Sequence, residues 1–226
     1  MIKKKDKRTN LKACGVAKEV YKMIETNLEY LDLDNDHRVI LFTSSNSEEG
    51  KTSTIANLGR SFAESDKKVI IVDCDLRKPQ IYNHFNIPNN PGLTNVLINR
   101  LDYKKVVLSV TEYNTLSVLP AGELPPDPIK FLNSDTFVNL IEQLKKDYDY
   151  IFIDSPPLLT VADTSILFKK VDGIVFIVAS GQTKKEDLRK AKKTLNLTKA
   201  NLIGTILTKT EISVNKYNQY YNYSAR

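Results

Sequence analysis

A short polar loop between two apolar segments constrains the fold of this 226-residue chain more than any other feature. Before the loop, the run Val39-Ile40-Leu41-Phe42 predicts a buried strand. After it, apolar residues at Ile55, Leu58 and Phe62 have the spacing of one helical face. A strand, a loop of small and polar residues and a helix, in that order, form the setting that a phosphate-binding loop requires.

The loop ends in Gly50-Lys51-Thr52, directly before the predicted helix. Backbone N–H groups at such a helix start bind anions, and the helix dipole favours negative charge there. Lys51 is then expected to reach the terminal phosphates, and the Thr52 hydroxyl to hold Mg²⁺. The motif is incomplete, because Ser45 replaces its first Gly and Glu48 stands where a small residue is more usual. The alternative is a polar turn before an ordinary helix.

Two further apolar runs end in carboxylates. Residues 69–72 lead into Asp73 and Asp75, and residues 150–153 lead into Asp154. Such runs predict buried parallel strands, and ligands of open α/β sheets bind at the carboxyl ends of those strands. Any one of these Asp residues alone is as well explained as a cap or turn residue. Together with Lys51 they indicate a Mg-nucleotide site, since Mg²⁺ prefers hard oxygen ligands.

Strand and helix patterns alternate along the rest of the chain. The other predicted elements are strands over 116–119, 173–178 and 202–207, and helices over 134–147 and 184–197. Ser134 is a suitable N-cap for the first of these helices, and the proline-rich segment 120–128 predicts a loop. The alternation predicts a single α/β domain of the P-loop NTPase type, with a mostly parallel sheet covered by helices on both faces.

The chain divides into three parts. Residues 1–34 contain a basic tail and an amphipathic helix predicted over 16–31, residues 35–212 form the P-loop core, and residues 213–226 form a tyrosine-rich tail. The tail is expected to be flexible, because its segment 215–224 has no aliphatic residue to face a core. It is interpreted either as a docking segment that packs on a partner or as a set of hydroxyls presented to an active site.

Charge and cysteine content exclude several classes. The net charge is +6, but the basic residues are scattered and do not alternate with aromatic residues, so nucleic-acid binding is not expected. The two cysteines, Cys14 and Cys74, provide no disulfide framework and are expected to be reduced thiols of a cytosolic protein. The chain contains neither a secretory signal nor an apolar run of about eighteen residues, so no membrane span is expected.

These motifs resemble those of the bacterial tyrosine kinases of capsular and exopolysaccharide synthesis, in particular the separate cytoplasmic kinase subunit of Gram-positive bacteria. The resemblance runs from about residue 17 to the end and includes the segment Gly122-Glu123-Leu124-Pro125-Pro126-Asp127-Pro128 and the tyrosine-rich tail. It implies ATP-dependent autophosphorylation between neighbouring subunits. The implied phosphoacceptors are Tyr217, Tyr220, Tyr221 and Tyr223.

The resemblance also implies roles for the site residues. Lys51 and Mg²⁺ offset charge on the transferred phosphoryl group, Asp75 and Asp154 hold the metal with Thr52, and Asp73 orients or deprotonates the incoming phenol. The residues expected to contact ATP are Ser47, Glu48, Glu49, Gly50, Lys51, Thr52, Ser53 and Lys209. Lys209 belongs to the pair Thr208-Lys209, which stands where related ATPases carry an Asn-Lys pair that helps to seat the base.

The implied partners are a membrane adaptor of the polysaccharide co-polymerase type with an activating cytoplasmic segment, a cognate tyrosine phosphatase and other copies of the chain. The adaptor is expected to recruit the kinase from the cytoplasm to the inner face of the membrane. Two departures from the family are visible. Ser47 and Glu48 replace a frequent Pro-Gly pair, and Glu25 replaces an Arg of the helix that contacts the next subunit. The reversed charge of Glu25 is expected to weaken self-association.

Two other functions remain open at this point. The first is a partitioning or positioning ATPase of the same superfamily, which acts as a switch; such proteins usually carry an extra loop lysine, where this chain has Asn46. The second is a catalytically idle polysaccharide-export scaffold, which the incomplete loop favours.

Overall fold

The computed structural model describes residues 7–32 and 37–210. Its strands are β1 (Val39–Ser44), β2 (Val69–Asp73), β3 (Leu108–Ser109), β4 (Leu116–Leu119), β5 (Tyr150–Asp154), β6 (Gly173–Ala179) and β7 (Leu202–Thr208). Its α-helices are α1 (Lys7–Asp32), α2 (Lys51–Glu64), α3 (Ile81–Phe85), α4 (Leu93–Asn99), α5 (Pro128–Leu132), α6 (Asp135–Asp147), α7 (Asp163–Leu167) and α8 (Lys185–Leu197). Short 3₁₀ turns cover Tyr103–Lys105 and Phe168–Lys170.

The strands form one sheet in the order β3-β4-β2-β5-β1-β6-β7. Its neighbouring strands are parallel except at the edge, where β3 and β4 are antiparallel. In the parallel register of β2 and β5, Asp73 lies opposite Asp154. Strand β1 runs on the other side of β5, so its carboxyl end opens into the loop beside these two acidic strand ends.

Helices cover both faces of the sheet. Successive residues of a strand point to opposite faces, and accordingly Val69 and Ile71 pack on one side while Ile70 and Val72 pack on the other. The first face is covered by α1, α2 and α3, and the second by helices that include α4, α6 and α8. The predicted α/β fold of the P-loop NTPase type, with a mostly parallel sheet and a single domain, is confirmed.

The sequence pattern predicted the long elements well and missed the short ones. The predicted strands and helices of the core are present, and Ser134 caps α6 by accepting a hydrogen bond from Phe137 N at 3.2 Å. The short helices α3, α4, α5 and α7 were not predicted, and α5 begins inside the segment that we interpreted as a loop. Elements of about one turn have too few residues to show a period, so partners distant in sequence decide whether they form.

The N-terminal helix is longer than predicted. It begins at Lys7 rather than at residue 16, so part of the predicted basic tail belongs to the helix. Its apolar stripe docks on the chain's own core: Leu28 is buried, and Ile24 packs against the cluster that contains α2. Within the described residues, no helix is both long and apolar enough to cross a membrane.

Glu25 does not lie where the sequence suggested, at a contact with a neighbouring subunit. Its side chain is fully buried within the chain, where its carboxylate accepts hydrogen bonds from Ser61 Oγ at 2.5 Å and Ser65 Oγ at 2.6 Å, both on α2. Lys22 Nζ lies 2.9 Å from the same carboxylate. The expectation that Glu25 faces a neighbouring subunit was therefore wrong, because a charge pattern on a helix does not say which face is covered; the expected weakening of self-association stays a prediction. In this chain Glu25 fastens α1 to α2.

Removal of this carboxylate is expected to destabilise the protein. Glu25→Ala removes the carboxylate that accepts from the Ser61 and Ser65 hydroxyls and pairs with Lys22. Hydrogen bonds to a charged group contribute about 1.5–3 kcal/mol each. We expect a loss of roughly 3 kcal/mol in the free energy of unfolding, measured by urea denaturation. The control is Glu29→Ala, which removes a surface ion pair with Lys67 (3.2 Å) and should cost less than about 1 kcal/mol. Equal losses in the two variants would show that the buried contacts contribute nothing.

Candidate active site

The loop between β1 and α2 is shaped by two residues in the left-handed region. Glu48 has φ 61° and Gly50 has φ 95°. Glu49 lies between them and turns its side chain into the protein, where it is 1% exposed. Its carboxylate accepts hydrogen bonds from Asn46 N at 3.1 Å and from Thr183 Oγ1 at 2.8 Å. These hydrogen bonds of Glu49 fix the loop on the side that faces the protein interior, and the opposite side of the loop is open.

A cavity of about 530 Å³ lies on that open side. The predicted ATP contacts that line it are Ser47, Glu48, Gly50, Lys51, Thr52, Ser53 and Lys209. Glu49 does not line it among the described residues, because its side chain points the other way. Asp75 lines the same cavity, so one of the acidic strand ends and the loop share one space.

The second acidic strand end meets the loop through a hydroxyl. Thr52 Oγ1 donates a hydrogen bond to Asp154 Oδ2 at 2.8 Å. The other oxygen, Asp154 Oδ1, is buried and has no hydrogen-bond partner within the described part of the chain. Buried polar atoms are normally satisfied, so an unpaired carboxylate oxygen beside a threonine hydroxyl is a position that a hard cation fits.

Mg²⁺ suits this donor set. The described residues contain no group of three or more His, Cys, Asp or Glu side chains placed to hold a metal by themselves. Mg²⁺ usually takes one or two carboxylates and completes its octahedron with phosphate oxygens and water. Thr52, Asp75 and Asp154 are therefore the residues that could hold it beside a nucleotide.

Asp73 is placed differently from the other two carboxylates. It is fully buried, and it accepts hydrogen bonds from Asp75 N at 3.1 Å and from the backbone N–H groups of Gln80 and Ile81 at 3.2 Å each. These contacts shape the turn after β2 and cap α3. Burial, and next the charge of Asp154, raise the pKa of Asp73 well above its usual value. Its role toward the phenol stays a prediction.

Burial also raises the pKa of the two proposed metal ligands. The pKa of Asp154 is raised to about 6, mainly by burial, although the charge of Lys51 and the Thr52 hydrogen bond act in the opposite direction. Burial raises the pKa of Asp75 as well, and Lys51 again opposes the shift. Lys51 is thus close enough to both carboxylates to act as their counter-charge. A bound cation would act in the same direction as Lys51 and lower the pKa of both Asp75 and Asp154.

The metal assignment predicts a loss of Mg²⁺ dependence. Asp75→Asn and Asp154→Asn should each weaken Mg-ADP binding roughly tenfold or more, because hard-cation sites depend on carboxylate charge. Since the folded pKa of Asp154 is raised to about 6, protons should compete with Mg²⁺ as the pH falls through that value. Titration calorimetry at about pH 7.5 and 5.5, with and without Mg²⁺, measures both effects.

The Asp154→Asn variant is its own control for the pH effect. It cannot titrate at this position, so its Mg²⁺ response should lose the pH dependence that arises at Asp154 in the wild type. If both variants keep the wild-type Mg²⁺-dependent affinity, the acidic strand ends are structural.

Glu48 has a left-handed backbone and is one of the residues that line the cavity. A left-handed non-glycine residue costs roughly 1–2 kcal/mol, and a negative charge beside bound phosphates is repulsive. Glu48→Gly should therefore raise both the melting temperature and the affinity for Mg-ATP, the latter by about threefold to tenfold. Glu48→Gln separates the two causes, because it removes the charge and keeps the strain. A glycine variant that binds no more tightly contradicts this account of the loop.

The predicted base-contact pair lies at the end of β7, against the loop. Thr208 Oγ1 donates a hydrogen bond to the backbone oxygen of Glu49 at 2.6 Å. Lys209 Nζ donates to the backbone oxygen of Glu48 at 2.6 Å and to Gln182 Oε1 at 2.5 Å. The pair is thus near the loop as expected, and its contact with a base stays a prediction.

Several cavity residues were missed at the sequence level. They are Arg77, Lys78, Gln80, His84, Pro156, Pro157, Thr160 and Val161. They follow the acidic ends of β2 and β5, so the strand-end rule that found Asp75 could have been extended along both loops. The predicted phosphoacceptors Tyr217, Tyr220, Tyr221 and Tyr223 lie outside the described residues.

A mostly parallel sheet with a Gly-Lys-Thr loop after one strand and carboxylates at the ends of two others has the architecture of a P-loop NTPase. In agreement, the AAA domain family matches residues 37–205. The chain is 37% identical over 208 residues to "Tyrosine-protein kinase YwqD" of Bacillus subtilis (strain 168), covering 92% of this chain and 86% of that protein. It is 32% identical over 203 residues to "Putative tyrosine-protein kinase CapB" of Staphylococcus aureus, covering 90% and 89%.

A solved structure agrees. The structure described as "the chimerical protein CapA2B2" matches with a TM-score of 0.80 and 34% identity, covering 84% of this chain and 83% of that one. The chain therefore belongs to the bacterial tyrosine-protein kinases. The family suggested by the sequence motifs, and with it the assignment as a protein-tyrosine kinase, is confirmed.

Proposed function

We propose that this chain is an ATP-dependent autokinase that phosphorylates the C-terminal tyrosines of a neighbouring copy and thereby regulates capsular or exopolysaccharide synthesis and export. The proposal is carried by one observation, the hydrogen bond of 2.8 Å between Thr52 of the loop and Asp154 of β5, beside an unpaired carboxylate oxygen. The similarity to "Tyrosine-protein kinase YwqD" and "Putative tyrosine-protein kinase CapB" supports the kinase part of it.

Each site residue has a part in the proposed transfer. Lys51 would place its ammonium group at the terminal phosphates, and Asp75, Asp154 and the Thr52 hydroxyl would hold Mg²⁺. The metal, when bound, offsets the negative charge of the triphosphate. The phenol oxygen forms a bond to the terminal phosphorus as the bond to ADP breaks. Asp73 is proposed to orient the phenol or accept its proton, which is useful because an unperturbed phenol has a pKa near 10.

The proposed partners follow from the family. They are a membrane adaptor with an activating cytoplasmic segment, a cognate tyrosine phosphatase and other copies of this chain. The adaptor would hold the kinase at the inner face of the membrane. Self-association is proposed without the Glu25 contact that the family pattern suggests, since that carboxylate is occupied within the chain.

A scaffold without catalysis is the second candidate, because Glu48, at a position where a small residue is more usual, lines the cavity. A switch ATPase is the third. Incubation of the full chain with Mg-ATP, with and without the cytoplasmic segment of the adaptor, followed by mapping of phosphorylated sites, separates the three. Phosphotyrosine in the tail supports the autokinase. ATP hydrolysis without phosphotyrosine indicates a switch, and neither activity, even with the adaptor segment, indicates a scaffold. Omission of Mg²⁺ is the control.

A further inference from the structure

Arg77 brings a guanidinium group into the cavity wall and is held there by a buried carboxylate. Its Nε lies 2.7 Å from Asp163 Oδ2, and its Nη2 lies 3.1 Å from Asp163 Oδ1. The Asp163 side chain is 1% exposed, whereas the Arg77 side chain is 44% exposed. Two of the three guanidinium nitrogens are therefore fixed from the protein side. The third, Nη1, takes no part in this ion pair.

The ion pair connects the two segments that carry the proposed metal ligands. Arg77 stands in the turn after β2, where the Asp75 carboxylate accepts hydrogen bonds from Arg77 N at 3.4 Å and Lys78 N at 3.0 Å. Asp163 begins α7, on the chain that continues from Asp154 at the end of β5. A guanidinium placed between these segments lies beside the ends that are proposed to hold Mg²⁺.

The charge of Arg77 is secure in this position. An arginine guanidinium stays protonated throughout the working pH range, and its Nε and Nη2 both donate to the Asp163 carboxylate. A bidentate arginine–carboxylate pair also fixes the plane of the guanidinium, which a lysine in the same place could not do. Arg77 is thus a residue of the cavity lining whose guanidinium is already held by Asp163 without a nucleotide.

We propose that Arg77 is a further catalytic residue, a guanidinium positioned by Asp163 that stabilises the negative charge on the phosphoryl group during its transfer to tyrosine. The inference rests on the proposed autokinase function. In the step, the bond from the tyrosine oxygen to phosphorus forms, the bond from phosphorus to the ADP oxygen breaks and the phenol proton passes to a carboxylate. Arg77 keeps its protons throughout. Asp163 is a positioning residue in this scheme.

The competing explanation is a structural ion pair that merely fastens two loops. Loss of one partner of a buried pair destabilises a protein whatever its role, so activity alone cannot decide. The deciding measurement compares the affinity for Mg-ADP with the affinity for Mg-ADP plus aluminium fluoride, which imitates the phosphoryl group in transfer. A stabilising cation affects only the second affinity.

The variants are Arg77→Gln, Arg77→Lys and Asp163→Asn, with Lys104→Gln as control. Lys104 forms a surface ion pair with Asp147 at 2.8 Å. Titration calorimetry should show Mg-ADP affinities within about threefold of wild type. In the wild type, aluminium fluoride should tighten Mg-ADP binding, and in both Arg77 variants this gain in affinity should be smaller by at least about tenfold. Turnover of both variants should fall about 100-fold with little change in KM. Asp163→Asn should give an intermediate loss, and Lys104→Gln none.

The outcomes that overturn the proposal are distinct from those that overturn the autokinase. An Arg77→Gln protein that keeps the additional fluoride-complex affinity and turnover within threefold contradicts a catalytic role. Equal losses of affinity for Mg-ADP and for the fluoride complex indicate a structural pair. If Asp163→Asn does not fold, Arg77→Lys still tests the proposal. Lysine keeps a positive charge beside Asp163, so the fold is retained, and it removes only the planar guanidinium. A wild type that binds both complexes but forms no phosphotyrosine refutes the autokinase alone, whereas one that binds neither refutes both.

Discussion

Lys51→Met is expected to reduce autophosphorylation by at least about 100-fold while leaving the fold intact. Lys51 is the first residue of α2, is 7% exposed and lines the cavity. Its charge opposes the pKa elevation of both Asp75 and Asp154, so it faces the proposed Mg²⁺ and phosphate positions rather than the apolar core. Methionine keeps much of the side-chain shape and removes only the charge.

Initial rates of phosphotyrosine formation with labelled ATP measure this effect, and near-ultraviolet circular dichroism checks the fold. The control is Lys146→Met, which removes an exposed lysine of α6. A small fall in the melting temperature of the Lys51 variant is expected, because two buried carboxylates lose a counter-charge. Undiminished phosphotyrosine in a folded Lys51→Met protein would falsify the assigned site.

The sequence predicted the sheet because its central strands are buried on both faces. Such strands are nearly continuous apolar runs. The strand at 150–153 in β5 could therefore be predicted from its own residues alone, without knowing which strands lie beside it. The polar residue that ends each run then lies at the carboxyl edge of the sheet. This is why Asp154 could be placed near the loop, although the parallel register that sets Asp73 opposite it was visible only in the structure.

The direction in which polar side chains point could not be predicted. The Glu49 carboxylate turns to Thr183, 134 positions later, so any contact of Glu49 with ATP would be made by its backbone, and that contact stays a prediction. Glu25 was expected at a subunit contact, yet it bonds to Ser61 and Ser65 of α2. In each case the motif gives the position along the chain, and a partner distant in sequence determines the side chain's orientation.

The Arg77–Asp163 ion pair could not be predicted either, because its two partners are 86 positions apart in the sequence. The two residues became candidates only when the sheet order brought the turns after β2 and β5 together. Pattern analysis of one sequence detects periods and short motifs, and an ion pair between two loops produces neither. The candidate site residues that the sequence indicated are those at the strand ends and in the loop.

The second large effect concerns the tail. Replacement of Tyr217, Tyr220, Tyr221 and Tyr223 by Phe should abolish most phosphotyrosine and leave Mg-ATP affinity unchanged. Phenylalanine keeps the ring and any packing that it makes, and it removes only the hydroxyl nucleophile. The matched control is Tyr30→Phe, which changes a tyrosine of α1 that is 68% exposed. This control should leave the phosphotyrosine yield within experimental error of the wild type, because α1 belongs to the folded part of the chain.

The tail is expected to limit its own phosphorylation. Strand β7 ends at Thr208 against the loop, and the tail follows it in sequence; in an assembly of several copies we expect the tail to meet a neighbour's site at high effective concentration. Each added phosphate brings about −1.5 to −2 charges, and several together should repel the tail from the acidic site and weaken subunit contacts. Mass spectrometry and light scattering after incubation with Mg-ATP test both steps. Phosphate that is absent from the tail, or that persists unchanged in the four-Phe variant, excludes the tail as substrate and leaves a switch ATPase or a scaffold.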